Sequence, residues 1–121
     1  MSKEIKQFLK SIKGDKFFHP VLNNIHEDIY HFIRKDSKIV GMFMLRGWEE
    51  GYDIPSFGMI VHPDYRKQGI GNCMLGQAIS ICRLLNCKKI RLTVDKENII
   101  AKNMYKKAGF EFKGNVGFKY L

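Results

Sequence analysis

The sequence has no long hydrophobic run. No uninterrupted apolar stretch approaches the roughly 18 residues of a membrane helix, so no helical span is expected in its 121 residues. Internal repeats are absent, which removes solenoids and arrays. No linker or low-complexity segment divides the chain. Cysteine is scarce: Cys73, Cys82 and Cys87 are an odd number, and no C-x-x-C occurs. Neither a disulfide framework nor a zinc knuckle is indicated. Buried, reduced thiols suit a cytoplasmic protein best. The opening residues, Met-Ser-Lys-Glu-Ile-Lys, contain no apolar signal core, so export by that route is not expected. His26 and His31 straddle an element boundary and His62 precedes a proline. No pair has ligand spacing, and no metal is expected.

Acidic residues are the other shortage. Twelve Asp and Glu face 21 Lys and Arg, a formal net charge of +9. Residues 1–82 hold 11 basic and 9 acidic side chains, and residues 83–121 hold 10 and 3, so the excess splits as +2 and +7. A basic chain favours anionic partners: nucleic acid, a membrane surface or a phosphorylated ligand. The lysine-rich stretch 83–107 has Tyr105 as its only aromatic, which disfavours a single-strand stacking platform. At 45% hydrophobic and 27% charged, the composition is that of a globular domain. One domain, 1–121, is all this length accommodates.

Residues 3–13 predict an amphipathic helix, with Ile5, Phe8, Leu9 and Ile12 at helical spacing. A short second helix is expected over 21–27. Strands follow at 29–34 and 39–46, joined as a hairpin at Asp36-Ser37. Residues 47–53 read as a loop with an acidic cluster. The strand 57–61 is apolar throughout, as a central strand is. A polar turn, 62–68, leads into a helix over 69–86. Its Ile70, Cys73, Met74, Ala78, Ile81, Cys82 and Leu85 form one stripe. A strand at 89–94, a helix at 98–108 closed by Gly109, and strands at 110–112 and 118–121 complete the chain. This order requires a mixed sheet with helices on its faces, an α/β architecture.

The informative stretch is 61–72. A strand ends, a turn carries Arg66 and Lys67, glycines stand at 69 and 71, and a long helix begins. A helix N-terminus offers unpaired N–H groups and a positive dipole end. Glycine lets that backbone approach a ligand. Together they cradle an anion, phosphate above all, or simply make a tight helix start. Further on, Asn98 can cap a helix. Tyr105 lies two turns along the same face, where its hydroxyl can serve a leaving group as an acid or sit at the rim of an aromatic core.

These residues resemble the GNAT family, the GCN5-related N-acetyltransferases. Arg66-Lys67-Gln68-Gly69-Ile70-Gly71 matches the family's Q/R-x-x-G-x-G/A loop, and Asn98, Ala101, Tyr105 and Gly109-Phe110 match its second signature. The match is close over 55–112 and looser over 29–54. Residues 46–58 and Phe18-His19-Pro20 resemble a bacterial subgroup found among surface-sugar genes. The resemblance implies the GNAT fold, a mixed, mostly antiparallel sheet with helices on both faces. It implies acetyl-CoA as acyl donor. Met59, Ile60 and Val61 would offer backbone to the pantetheine arm, and a main-chain N–H near Ile60 would polarise the thioester carbonyl. Arg66, Lys67, Gln68, Gly69, Ile70, Gly71 and Asn72 would hold the pyrophosphate. Asn98, with Ala101, would contact the pantetheine or the neighbouring phosphate. Tyr105 would protonate the departing thiolate. Homodimers are common in the family, so a second copy is an admissible partner.

The acceptor amine must be neutral to attack. A lysine-like amine has a pKa near 10.4, so a base or water relay must take its proton. The family branch that acetylates ribosomal proteins has a glutamate one residue after the position of Leu92. Here that residue is Thr93, which cannot act as the base. Glu49, Glu50 and Asp53 remain, the alternative being a merely solvated loop. Trp48 and Tyr52 beside them would line an acceptor pocket. Three functions compete: acetyl transfer to a small amine, such as an amino sugar; acetylation of a protein N-terminus or lysine; and a non-catalytic CoA- or nucleic-acid-binding protein. Nucleic-acid binding would collapse with salt. The charge reads as a dipolar arrangement, basic toward the donor and acidic toward the acceptor.

Overall fold

Asp36 and Ser37 set the first hairpin. Both take positive φ, 51° and 66°, as a two-residue type I′ turn requires. A computed structural model of the chain describes residues 28–121; the helices expected at 3–13 and 21–27 lie outside them. The turn joins β1 (Ile29–Lys35) to β2 (Lys38–Arg46), and β3 (Ser56–Val61) adds to β2. Helix α1 (Ile70–Leu84) then crosses to β4 (Lys89–Thr93), which runs parallel to β3. Helix α2 (Ile99–Lys107) leads into the hairpin of β5 (Glu111–Lys113) and β6 (Val116–Tyr120). The strand order is β1-β2-β3-β4-β6-β5. Only the β3–β4 pairing is parallel, so the fold is α/β with a mixed, mostly antiparallel sheet.

Met74, Leu75, Ala78, Ile79 and Cys82 form the buried stripe of α1. They pack on Phe43, Leu45, Phe57, Ile90 and Leu92 of three strands. Burying each large side chain contributes about 1.5–3 kcal/mol. The stripe is turned slightly from the expected one, because Cys73 and Leu85 are exposed and Ile79 is inside. Tyr105 of α2 joins the same cluster, so both described helices pack on one face. The opposite face carries buried Met42 and Met44, with Tyr30, Phe32 and Ile60 against them. Of the three thiols only Cys82 is buried. Burial, then the neighbouring Cys87, pushes its pKa up to about 12. Among the described residues no helix is long and apolar enough to cross a membrane.

The β3–β4 junction positions the site. Ser56 opposite Arg91 is its one registered pair, held by Arg91 N donating to Pro55 O at 2.9 Å. Past that rung the two strands part, and the sheet is open where most sheets are closed.

Candidate active site

The opening is a cleft of about 860 Å³. Phe57, Gly58 and Met59 of β3 line one wall, and Thr93 and Val94 the other. Main-chain groups alternate in direction along a strand. His62 N donates to Val40 O, and Pro55 O accepts from Arg91 N. Even-numbered positions of β3 therefore address β2, and odd-numbered ones address β4. Beyond the Ser56 rung, Met59 and Val61 have no strand opposite. Their N–H groups face the opening, one on each side of Ile60. Val61 O is taken by Arg66 Nε at 3.3 Å. Of the three backbone positions expected to serve the pantetheine, Ile60 faces away: its backbone pairs with Met42 and its side chain lies in the other-face cluster. It offers the cleft neither.

Helix α2 supplies Asn98, Ala101 and Tyr105 to the cleft. Asn98 Oδ1 accepts from Ala101 N at 3.1 Å. That caps the helix and leaves the side-chain amide N–H groups for a ligand. Gly109, at φ 99°, closes the other end, with Phe110 N donating to Tyr105 O at 3.0 Å. Tyr105 is only 7% exposed. Its ring meets Phe57 and Phe110 edge-on, at centroid distances of 6.3 and 5.8 Å. Its hydroxyl has no hydrogen-bond partner among the described residues. Burial pushes its pKa up to about 12, so it holds its proton throughout the neutral range.

The glycine loop fits a phosphate group. Gly69 is left-handed at φ 79°, and Lys67 takes φ 63°. Helix α1 starts without a side-chain cap or an acidic residue in its first turn. Its first helical bond is Cys73 N to Gly69 O, which leaves the N–H groups of Ile70, Gly71 and Asn72 free of helical partners. A Cβ at Gly71 would lie 3.1 Å from Met59 Cε. Met59 thus ties the loop to the cleft: its side chain touches Gly71, and its backbone lines the opening. Arg66, Lys67 and Gln68 are exposed, and Gln68 Oε1 accepts from Lys35 Nζ at 2.6 Å.

The acidic loop is a 3-10 turn, Trp48–Glu50, between Gly47 and Gly51, both at positive φ. Buried Asp28 pins it, its Oδ1 accepting from Gly47 N at 3.1 Å and Glu49 N at 3.4 Å. Of the three candidate bases only Glu50 lines the cleft. Glu49 turns one oxygen, Oε2, into a buried position without a hydrogen bond among the described residues, as Tyr30 does its hydroxyl. Burial raises the Tyr30 pKa; Arg46 opposes this, and Asp28 and Glu49 add to it. Asp53 is exposed and outside the lining. Tyr52 does line the cleft; Trp48 does not.

The lining also holds Arg46, Ser56, Arg91 and Phe118, none of which the sequence singled out. Arg46 and Ser56 do follow a polar phase of their strands, alternating with core residues. Their convergence depends on pairing between strands far apart in the chain.

An opened mixed sheet, a tyrosine at the opening and an uncapped glycine helix start define an acetyltransferase frame. The model of the acetyltransferase (GNAT) family matches residues 3–110, and the chain belongs to that family. A Bacillus subtilis protein named provisionally as an alanine N-acetyltransferase of ribosomal protein bS18 is 27% identical over 108 residues, 89% of this chain and 70% of its own length. Of other curated relatives the chain spans 50–64% of the length. The PaiA N-acetyltransferase of Thermoplasma acidophilum, solved in complex with coenzyme A, superposes with a TM-score of 0.71 at 18% identity, over 98% of this chain and 87% of that one. A spermidine N-acetyltransferase of Vibrio cholerae (the SpeG F149A mutant) gives 0.72 at 16% identity, over 88% and 72%.

Proposed function

We propose that this protein transfers the acetyl group of acetyl-CoA to the primary amine of a small molecule. The opening of the sheet beyond Ser56 and Arg91 carries the reading. It leaves a main-chain N–H at Met59 free to polarise a thioester carbonyl. Tyr105 lines that cleft, and the α1 loop, whose own residues lie outside the lining, adjoins it where the Met59 side chain meets Gly71. The pyrophosphate would lie on the N–H groups at 70–72, and the pantetheine along Met59, Asn98 and Ala101. The amine nitrogen attacks the carbonyl carbon; the C–N bond forms and the C–S bond breaks. Glu50 takes the amine proton through water. Tyr105 donates a hydrogen bond to the sulfur as negative charge collects there. Solvent then supplies the proton of the free thiol. The cytoplasm, where thiols stay reduced, suits these cysteines.

A small acceptor is supported by Thr93, whose hydroxyl cannot replace a glutamate base. The Bacillus relative keeps one rival in view, a protein N-terminal amine. Release of CoA thiol from acetyl-CoA, screened over amino sugars, polyamines and peptides, tests the choice. Turnover with small amines is expected. Turnover with peptides alone moves the acceptor to protein, and none above background hydrolysis removes catalysis.

A further inference from the structure

The cleft has a floor that this chemistry does not use. Arg46 stands opposite Ser56, and Ser56 opposite Arg91, in one rung across three strands. Side chains in register leave a sheet on the same face. Leu45, Phe57, Ile90 and Leu92, one residue along, fill the helix-side core. The rung therefore belongs to the opposite face, away from the CoA loop. Arg91 Nη1 donates to Ser56 Oγ at 3.4 Å. All three residues are half-buried, and all line the cleft.

Arg46 acts on Tyr30 together with the carboxylates of Asp28 and Glu49, which stand in its neighbourhood; the guanidinium of Arg91 has no salt bridge among the described residues and needs a counter-charge. Among the described residues neither arginine forms a salt bridge with a carboxylate, and the contact of His62 Nδ1 with Asp64 Oδ2, at 3.9 Å, touches neither of them. The carboxylates that share the cleft, Glu50 and Asp95, are exposed at its rim, and Asp95 Oδ1 accepts from Glu97 N at 3.1 Å instead. Exposed carboxylates give up little by staying in water. Partly desolvated guanidiniums gain most from a planar or tetrahedral oxyanion, which their forked donors match.

We infer that the acceptor carries an anionic group besides its amine, a carboxylate or a phosphate, and that Arg46 and Arg91 hold it with Ser56 between them. The inference rests on the acetyl-transfer reading of the cleft. It revises the expected polarity. The acceptor side is acidic at its rim but basic at its floor, so an amphoteric molecule is oriented with its amine toward Glu50 and the opening. The rung is two residues from Gly58 and three from Met59, roughly 7–10 Å along the strand, which sets the length of the probes.

The test compares linear amines of graded length, each ending in a carboxylate, a phosphate monoester, a neutral amide or a second amine. Initial rates of CoA release are measured with the full chain at saturating acetyl-CoA. An anionic end should raise kcat/KM roughly 10- to 100-fold over the matched amide, the effect of a charge-assisted contact. The carboxylate and phosphate arms show which anion it is. Arg46→Gln and Arg91→Gln should bring the anionic amines down to the level of the amides. A preference for amide or diamine in the unaltered protein overturns the inference without touching acetyl transfer. If no amine releases thiol, the acetyl-transfer reading fails separately. Calorimetry then decides the floor: the N-acetylated probes are titrated into the CoA-loaded protein. Binding that requires the anion and is lost in Arg46→Gln supports it, and equal binding of anion and amide overturns it.

Discussion

Removing one oxygen from Tyr105 separates chemistry from structure. In Tyr105→Phe the ring keeps its edge contacts with Phe57 and Phe110. The lost hydroxyl has no hydrogen-bond partner among the described residues, so stability at pH 7 should change by less than about 1 kcal/mol. The kinetic loss follows from the pKa. Burial sets Tyr105 at about 12, whereas a free thiol sits near 8.5. Full proton transfer from tyrosine to thiolate is thus uphill by roughly 5 kcal/mol. In the proposed mechanism the hydroxyl donates a hydrogen bond to the forming thiolate and keeps its proton. A hydrogen bond to a charged atom is worth about 1.5–3 kcal/mol, so kcat should fall roughly 10- to 150-fold with CoA affinity retained. Burst and steady-state thiol release measure the first quantity, calorimetry the second. An unchanged kcat refutes the role.

The same variant tests the burial. Unfolded tyrosine ionises near its ordinary 10.0 and the folded one near 12. Below pH 10 both states keep the proton, and Tyr105 adds no pH dependence. Between 10 and 12 the unfolded state binds fewer protons, so stability falls as pH rises. The gap is worth roughly 2–3 kcal/mol. The unaltered protein should lose that much more than Tyr105→Phe between pH 9 and 12 in urea titrations. Parallel curves would mean that the hydroxyl is hydrated.

Glu50→Gln should lower kcat on the order of 100-fold at neutral pH, whereas Asp53→Asn should leave it in place; thiol release reads both. Gly71→Trp should weaken CoA binding on the order of 100-fold or more, because a side chain there already meets Met59 at its Cβ; calorimetry beside circular dichroism checks that the fold survives. Gly117→Ala should destabilise the chain by about 1–3 kcal/mol, since the new methyl would lie 2.8 Å from the Phe112 ring; denaturant titration reads this directly.

Local signals made much of this molecule legible. Each of the six described strands and two described α-helices was expected from the pattern of its own residues, within a residue or two at most ends. Asp36-Ser37 announced its hairpin, Asn98 its cap and Gly109 its C-terminal closure, because each acts on neighbours in the chain. The arginine rung was not legible. Arg46, Ser56 and Arg91 are set together by strand register, which a linear pattern does not carry. Nor was the orientation of Ile60, one residue out of phase with the useful N–H groups. Among Glu49, Glu50 and Asp53 the sequence offered no choice. Which of them reaches the cleft follows from the turn of Gly47 around the Asp28 carboxylate, a contact that spans 19 residues.

The single rung between β3 and β4 has a consequence for solubility and exchange. Sheet edges are hazards, since bare N–H and C=O groups recruit strands from other molecules. This sheet keeps two further edges facing each other inside the molecule, beyond Ser56 and Arg91. The amides of Met59 and Val61 should accordingly exchange with deuterium fast for a central strand. They should slow when CoA is added, as though the nucleotide's arm were a seventh strand.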